Sequence, residues 1–322
     1  MSSGDGRWLA TAACLAERAR PLSRPNPPVG AILVRDGIVL GRGWTGAGGR
    51  PHAEALALAQ AGERARGATL YVTLEPCAHR SERGPACADL IIEAGLARVV
   101  AGTGDPDPRT AGKGLARIAA AGTEVTLADS KLCRDSLAGY LTRTRHGRPF
   151  VTLKLALTAD GFIAREDGTG RWITGDVARA HAHRERARSD AILVGGATLR
   201  TDAPRLDVRL PGLEDRSPRR LVLTRGDVPE GWAAVSDPAA IGGLDARYLL
   251  IEGGAEVTEA FLAAGLVDRL LLYRAPHEFG GGIPAFRAPE PTGVPAGWSL
   301  AERRKLGSDT LEVYTPALPE GV

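Results

Sequence analysis

The chain has 322 residues, long enough for one large domain or two ordinary ones. Hydrophobic residues make up 43% and charged residues 25%, which excludes wholesale disorder. A net charge of +3 and 5% aromatics exclude a protein built mainly to grip phosphate backbones or stack single strands.

Trp8, Ala12, Leu15 and Ala19 recur at helical spacing and predict an amphipathic helix, which Pro21 to Pro28 stops. Val29–Val34 and Ile38–Leu40 predict two strands joined by a turn at Asp36-Gly37. Ala53–Arg66 predicts a helix closed by Gly67. Strands are then expected at Thr69–Leu74, Arg98–Ala101 and Thr123–Leu127, and helices at Cys87–Ala94, Lys113–Ala121 and Lys131–Arg145. That alternation predicts a sheet with helices on both faces.

Gly147-Arg148-Pro149 interrupts the pattern, so domains are expected at 1–146 and 147–322. The second series reads as strand Phe150–Ala156, helix 176–188 and strands Ala191–Val194, Arg220–Leu223 and Tyr248–Ile251. Helix Ala255–Ala264 and strand Arg269–Tyr273 complete it. Two strands end in paired glycines, Gly195-Gly196 and Gly253-Gly254, each before a helix, where phosphate can sit. No apolar run approaches the roughly 18 residues of a membrane span, and Met1-Ser-Ser-Gly-Asp does not read as a secretory leader. A cytoplasmic α/β protein is expected, with its four cysteines reduced or bound to metal.

His52-Ala53-Glu54 opens a helix, Pro76-Cys77 follows a strand, and Cys87 opens another helix. His52, Cys77 and Cys87 supply three ligands for a tetrahedral zinc, with the fourth position left to water. Helix N-termini favour the thiolate forms that ligate. Two thiolates also neutralise the metal and weaken its pull on water, so a carboxylate base is needed nearby. Glu54 is placed to be that base. H-x-E followed by P-C-x-x-C is the signature of zinc nucleobase deaminases. A purely structural zinc would need a fourth protein ligand, and His79 could supply it. Cys14 and Cys133 fall in apolar helical patterns and are expected in the core.

Asn26-Pro-Pro-Val-Gly-Ala-Ile-Leu-Val, Gly49-Arg-Pro-His-Ala-Glu54, Thr73-Leu-Glu-Pro-Cys-Ala-His79 and Gly104-Asp-Pro-Asp-Pro-Arg-Thr-Ala-Gly-Lys-Gly114 together resemble the bifunctional riboflavin-biosynthesis deaminase/reductase family. Arg148-Pro-Phe-Val-Thr-Leu-Lys-Leu-Ala156, Trp172-Ile-Thr-Gly175, Asp190-Ala-Ile-Leu-Val-Gly195, Glu252-Gly-Gly254 and Leu266-Val-Asp268 continue the likeness. The resemblance implies a cytidine-deaminase-like α/β/α domain followed by a dihydrofolate-reductase-like α/β domain. The first would hydrolyse an amine from a diaminopyrimidinone carrying a ribosylamino 5′-phosphate, with Zn2+ on His52, Cys77 and Cys87. Glu54 would shuttle the proton, and Asn26, His79 and Lys113 would touch substrate.

The second domain would use NADPH to reduce the ribosylamino group to ribitylamino, with Asp202 as proton source. By the same resemblance, Ala156, Trp172, Thr198, Asp202 and the Gly254 turn would lie near NADPH, and Arg186, Leu206, Arg209 and Glu252 would face substrate. Arg186 and Arg209 suit a phosphate. Lys154, a charge on an apolar strand, must find a partner or point into a site.

The chain departs from the family at Gly170, Ala203 and Asp107, and in having nine residues between Cys77 and Cys87. Between 223 and 248 it looks shortened, so part of the cofactor pocket is expected to be missing or supplied by a partner subunit of a homo-oligomer. His181 and His183, two apart on a helix, are expected as exposed side chains rather than a metal pair. Rival readings are a deaminase with a degenerate reductase domain, a cytidine or tRNA deaminase with an unrelated second domain, and a non-catalytic zinc module.

Overall fold

A turn with both central residues left-handed, Asp36 at φ 51° and Gly37 at φ 75°, folds strand β1 (Gly30–Arg35) back on β2 (Ile38–Trp44). The computed structural model containing this hairpin describes residues 3–80, 82–167, 172–287 and 293–317; Gly170 lies outside the described residues. The chain divides into two compact units, Met1–Gly147 and Arg148–Val322.

In the first unit, α1 (Ser3–Ala16) precedes the hairpin and α2 (Ala53–Ala61) follows it. Then come β3 (Thr69–Val72), α3 (Cys87–Glu93), β4 (Arg98–Ala101), α4 (Lys113–Ala120), β5 (Glu124–Leu127), α5 (Lys131–Ser136) and α6 (Ala138–His146). The sheet runs β2-β1-β3-β4-β5, antiparallel at the hairpin end and parallel from β3 to β5. Ala53, Ala57, Ala88, Ile91 and Ile118 from α2, α3 and α4 pack with Ala31, Leu33, Leu70 and Val99 on one face. Leu9, Ala12 and Ala13 of α1 and Cys133 of α5 cover the other with Ile32, Tyr71 and Val100.

Three expectations for this unit need correction. The helix predicted to reach Arg66 stops at Ala61, because Gly62 takes a left-handed φ of 56° and a 3-10 turn follows. The helix predicted over 131–145 is two helices, broken at Leu137. Cys14 is exposed, not core. The buried stripe of α1 runs through Leu9, Ala12, Ala13 and Ala16, and Cys14 falls off that stripe.

The second unit begins with β6 (Phe150–Leu157), β7 (Phe162–Ala164), α7 (Asp176–Ala187), β8 (Ala191–Gly195), α8 (Gly196–Asp202), β9 (Arg219–Leu223) and β10 (Trp232–Val235). It ends with β11 (Tyr248–Ile251), α9 (Ala255–Ala263), β12 (Arg269–Arg274), β13 (Ile283–Pro284), β14 (Trp298–Leu306) and β15 (Asp309–Pro316). The order β10-β9-β8-β11-β6-β12-β15-β14 is parallel as far as β12, and the terminal hairpin pairs antiparallel. Val151, Leu153, Leu155 and Leu157 point to the α9 side with Val257 and Phe261. By strand alternation Thr152, Lys154 and Ala156 lie on the α7 side, where Ala178 and Ala182 pack on Leu271, Tyr273 and Leu311. Between β9 and β11 lie the short β10 and a 3-10 turn, Pro238–Gly243. Among the described residues no helix is long and apolar enough to cross a membrane.

Candidate active site

His52 caps α2 with extended backbone, so its ring leaves the helix end while Glu54 sits inside the first turn. Cys77 follows β3 and Cys87 is the first residue of α3. The three potential ligand atoms of His52, Cys77 and Cys87 all lie within 4.8 Å of one another. His52 Nδ1 is 3.2 Å from Cys87 Sγ and 3.6 Å from Cys77 Sγ, and the Cys87 N–H donates to Cys77 Sγ at 3.2 Å. On the far side of the ring, Asn26 Nδ2 reaches His52 Nε2 at 2.8 Å and Gly49 O at 2.9 Å, aiming Nδ1 at the sulfurs. One imidazole and two sulfurs at this spacing are a donor set that fits zinc.

The electrostatics of the cluster are those of ligating groups. Cys77 is drawn down to about 4, first by the Cys87 thiol that hydrogen-bonds it and then, against burial, by His52. Cys87 is pushed up by that same bond and by burial. Burial opposes charge on His52, but Cys77 and Glu54 outweigh it and raise the imidazole. Glu54 is 4% exposed, and burial raises its carboxyl. A carboxyl moved toward neutrality beside a metal-ligand cluster suits proton transfer in both directions.

A second polar cluster lies on the α7 side of the other sheet. Arg186 of α7 donates from Nε and Nη2 to the two oxygens of Glu252 at 2.7 and 2.9 Å, and from Nη1 to Asp207 O at 3.0 Å. Lys154 Nζ stands 3.7 Å from Glu252 and over the Tyr273 ring at 5.7 Å from its centroid. Thr198 of α8 and Gly254 before α9 are neighbours: a Cβ on Gly254 would lie 3.9 Å from Thr198 Oγ1. Both turns sit at the C-terminal ends of adjacent parallel strands, β8 and β11, where open α/β sheets bind their ligands.

Comparison with known proteins joins the two clusters into one assignment. Residues 2–103 match the cytidine and deoxycytidylate deaminase zinc-binding region, and residues 149–241 and 239–311 match the RibD C-terminal domain. Riboflavin biosynthesis protein RibD of Haemophilus influenzae is 35% identical over 98% of this chain and 98% of its own length. The chain belongs to the riboflavin-biosynthesis deaminase/reductase family. The Escherichia coli member is 37% identical over 86% of this chain and 89% of its own. The solved Thermotoga maritima deaminase/reductase superposes with a TM-score of 0.86 at 31% identity, covering 97% of this chain and 99% of that one. Acinetobacter baumannii RibD gives 0.83 at 33% identity, covering 98% and 99%. As in that family, the chain is a bifunctional enzyme of riboflavin biosynthesis, with a zinc-binding deaminase domain and a reductase domain.

The other residues expected at family positions fall as follows. His79 is half-buried, its Nδ1 has no hydrogen-bond partner among the described residues, and it stands outside the three-residue cluster. Lys113, the first residue of α4, donates from Nζ to Pro108 O at 2.7 Å. Ala156 is on the α7 face of β6, and Asp202 ends α8 as an exposed carboxylate. Trp172 is 64% exposed with the Arg179 guanidinium 5.1 Å from its ring centre. Leu206 is buried against Ile192, Val194 and Leu250, and Arg209 is exposed with Nε 3.4 Å from Asp207.

Arg186 is thus half-buried and paired rather than a free cation. His181 and His183 are not exposed side chains either: both are half-buried, His181 against Tyr273 of β12 and His183 against the 207–209 segment, where the Arg209 N–H donates to its Nδ1 at 3.2 Å. Arg184 and Arg304 approach His181 Nε2 at 2.5 and 2.6 Å and make it an acceptor, so Nδ1–H donates to Tyr273 Oη at 2.7 Å. The pairing of His181 with Tyr273, 92 residues apart, is not legible in the sequence. Glu75, in the Thr73–His79 motif, is legible in the sequence as an acid near a cysteine after a strand, and only the fold shows the backbone amides it binds.

Proposed function

We propose that the first unit deaminates a diaminopyrimidinone bearing a ribosylamino 5′-phosphate, and that the second reduces the ribosylamino chain to ribitylamino with NADPH. The observation that carries the first step is the convergence of His52, Cys77 and Cys87 within 4.8 Å, with buried Glu54 two residues from the histidine. These three residues would hold zinc, which when bound supplies Lewis-acid activation of water. Glu54 takes the proton of the attacking water and returns it to the departing amine. Water and substrate amine thereby become a carbonyl and ammonia. Asn26 holds the His52 ring, and His79 and Lys113 would contact the substrate.

For the second step, Thr198, Gly254, Ala156, Trp172 and Asp202 would line the nucleotide. NADPH, when bound, supplies the hydride to the imine carbon formed when the sugar ring opens. The fit is supported by two glycine-bearing turns that follow neighbouring parallel strands, with only Thr198 Oγ1, among the described residues, within 4 Å of a Cβ placed on Gly254. Asp202 supplies the proton. Lys154, Glu252 and Arg186 form a rigid polar floor for the substrate, with Leu206 behind and Arg209 at the exposed edge for the phosphate. A net charge of +3 and 5% aromatics support a small-molecule substrate rather than a nucleic acid.

The test is an assay with the diaminopyrimidinone phosphate, with and without NADPH, following ammonia and nucleotide oxidation separately. Ammonia without NADPH, then oxidation that depends on the deaminated product, is the expected result. Ammonia from cytidine and none from the pyrimidine phosphate would reject it.

A further inference from the structure

Glu75 is a carboxylate with 4% exposure that follows β3 and precedes the Pro76-Cys77 turn. Four backbone N–H groups donate to it. Asp105 and Gly112 reach Oε2 at 3.3 and 3.0 Å, and Gly114 and Leu115 reach Oε1 at 3.0 and 3.3 Å. The carboxylate therefore fills the N-terminal end of α4 and closes both ends of the loop that leads into it. Charge-assisted bonds of this kind are the strong ones, and the N-terminal helix dipole adds to them.

Two further contacts dock the same helix on the same segment. A Cβ on Gly114 would lie 1.9 Å from Pro76 O, so only glycine lets α4 come this close to the metal-ligand turn. One helical turn on, Arg117 Nη1 donates to Ala78 O at 3.2 Å. Residues 75, 76 and 78, which flank Cys77, each touch α4 or its preceding loop. The loop is braced further: Tyr140 Oη of α6 donates to Asp105 Oδ1 at 2.6 Å, and within the loop Lys113 Nζ closes on Pro108 O.

We infer that Glu75 is a positioning residue for the deaminase: it registers the 104–115 loop, with Lys113, against the ligand turn and so sets substrate affinity. The inference rests on the reading of the first unit as that deaminase. It has a chemical corollary. With the α4 N-terminal amides occupied by an internal carboxylate, that helix end is not available to the substrate phosphate.

The test compares the full-length zinc-loaded wild type with Glu75→Gln and Gly114→Ala. The amide turns an N–H toward amides that need an acceptor, and the methyl pushes α4 off Pro76. The expected result for both is a KM for the pyrimidine phosphate raised about tenfold with kcat changed less than about threefold. Zinc per chain should stay at the wild-type value, and trypsin should cut faster after Arg109, which is 68% exposed in the loop. An unchanged KM with wild-type proteolysis would overturn the inference. Loss of zinc with a parallel fall in kcat would also overturn it, since that is a merely structural role. A wild type that releases no ammonia from this substrate would instead reject the functional reading, and the zinc and trypsin comparisons would still decide whether Glu75 holds the loop.

Discussion

Arg186 grips both oxygens of Glu252, and Lys154 stands 3.7 Å away on the neighbouring strand. Burial would push the Glu252 carboxyl up, but Lys154 and Arg186 together outweigh it and hold it down at about 2. An unfolded glutamate titrates at about 4.3. The folded value is the lower one, so this carboxylate's contribution is complete above the unfolded value and is lost as pH falls from about 5 toward 2. Glu252→Gln leaves two partly buried cations without a counter-charge. It should cost about 3–5 kcal/mol at pH 7, because removing one member strands the others. Urea titrations at pH 7 and pH 4 check this: the variant should lose less stability between the two than the wild type does.

The parts of the site legible in the sequence were those where chemistry dictates residue type at an element boundary. His52 and Cys87 begin helices, Cys77 follows a strand, and zinc accepts few other side chains. Packing relationships were less legible. Cys14 matched an apolar spacing whose true stripe, Leu9, Ala12, Ala13 and Ala16, is set by where the sheet lies. Strand β14 carries Glu302, Arg303, Arg304 and Lys305 in succession, so an exposed edge strand had no alternation to betray it. The His181–Tyr273 bond joins positions 92 residues apart, and only the fold brings them together.

Metal binding and catalysis should separate at the first site. Cys77→Ser removes a thiolate from a three-ligand set, and zinc per chain measured after dialysis should fall well below one. Glu54→Gln leaves all three ligands in place, so zinc should remain while ammonia release drops about a hundred- to ten-thousand-fold, the usual range for a general acid–base. Zinc at full occupancy in Cys77→Ser would refute the ligand set. Undiminished turnover in Glu54→Gln would refute the proton carrier.

Helix α2 owes its position to β2. A Cβ on Gly43 would lie 2.3 Å from Ala53 O, in the residue between His52 and Glu54. Gly43→Ala must therefore move the helix that carries both groups. It should destabilise the protein by about 1–3 kcal/mol, as overpacking does, and weaken zinc retention against a chelator. Gly6, inside α1, has nothing within 4 Å of an added Cβ. Gly6→Ala should be neutral or stabilising by up to about 1 kcal/mol, with zinc retention unchanged. Thermal melts and chelator titrations of the pair distinguish a packing effect at α2 from a general intolerance of added methyls.

Dinucleotide binding in the second unit has a readout that does not depend on turnover. A ligand that binds only the folded state at a hundredfold excess over its Kd adds about 2.7 kcal/mol. For a unit of this size that is a rise in Tm of about 5–10 °C. Gly254 faces open space apart from Thr198 Oγ1, 3.9 Å from where a Cβ would sit, so Gly254→Val should fold but fill the space a phosphate needs. Differential scanning fluorimetry with NADPH should show the rise in the wild type and little or none in Gly254→Val, with similar Tm values before nucleotide is added. A wild-type Tm unmoved by saturating NADPH would mean that the turns at β8 and β11 no longer form a nucleotide site. Equal shifts in both proteins would place the nucleotide elsewhere on the second unit.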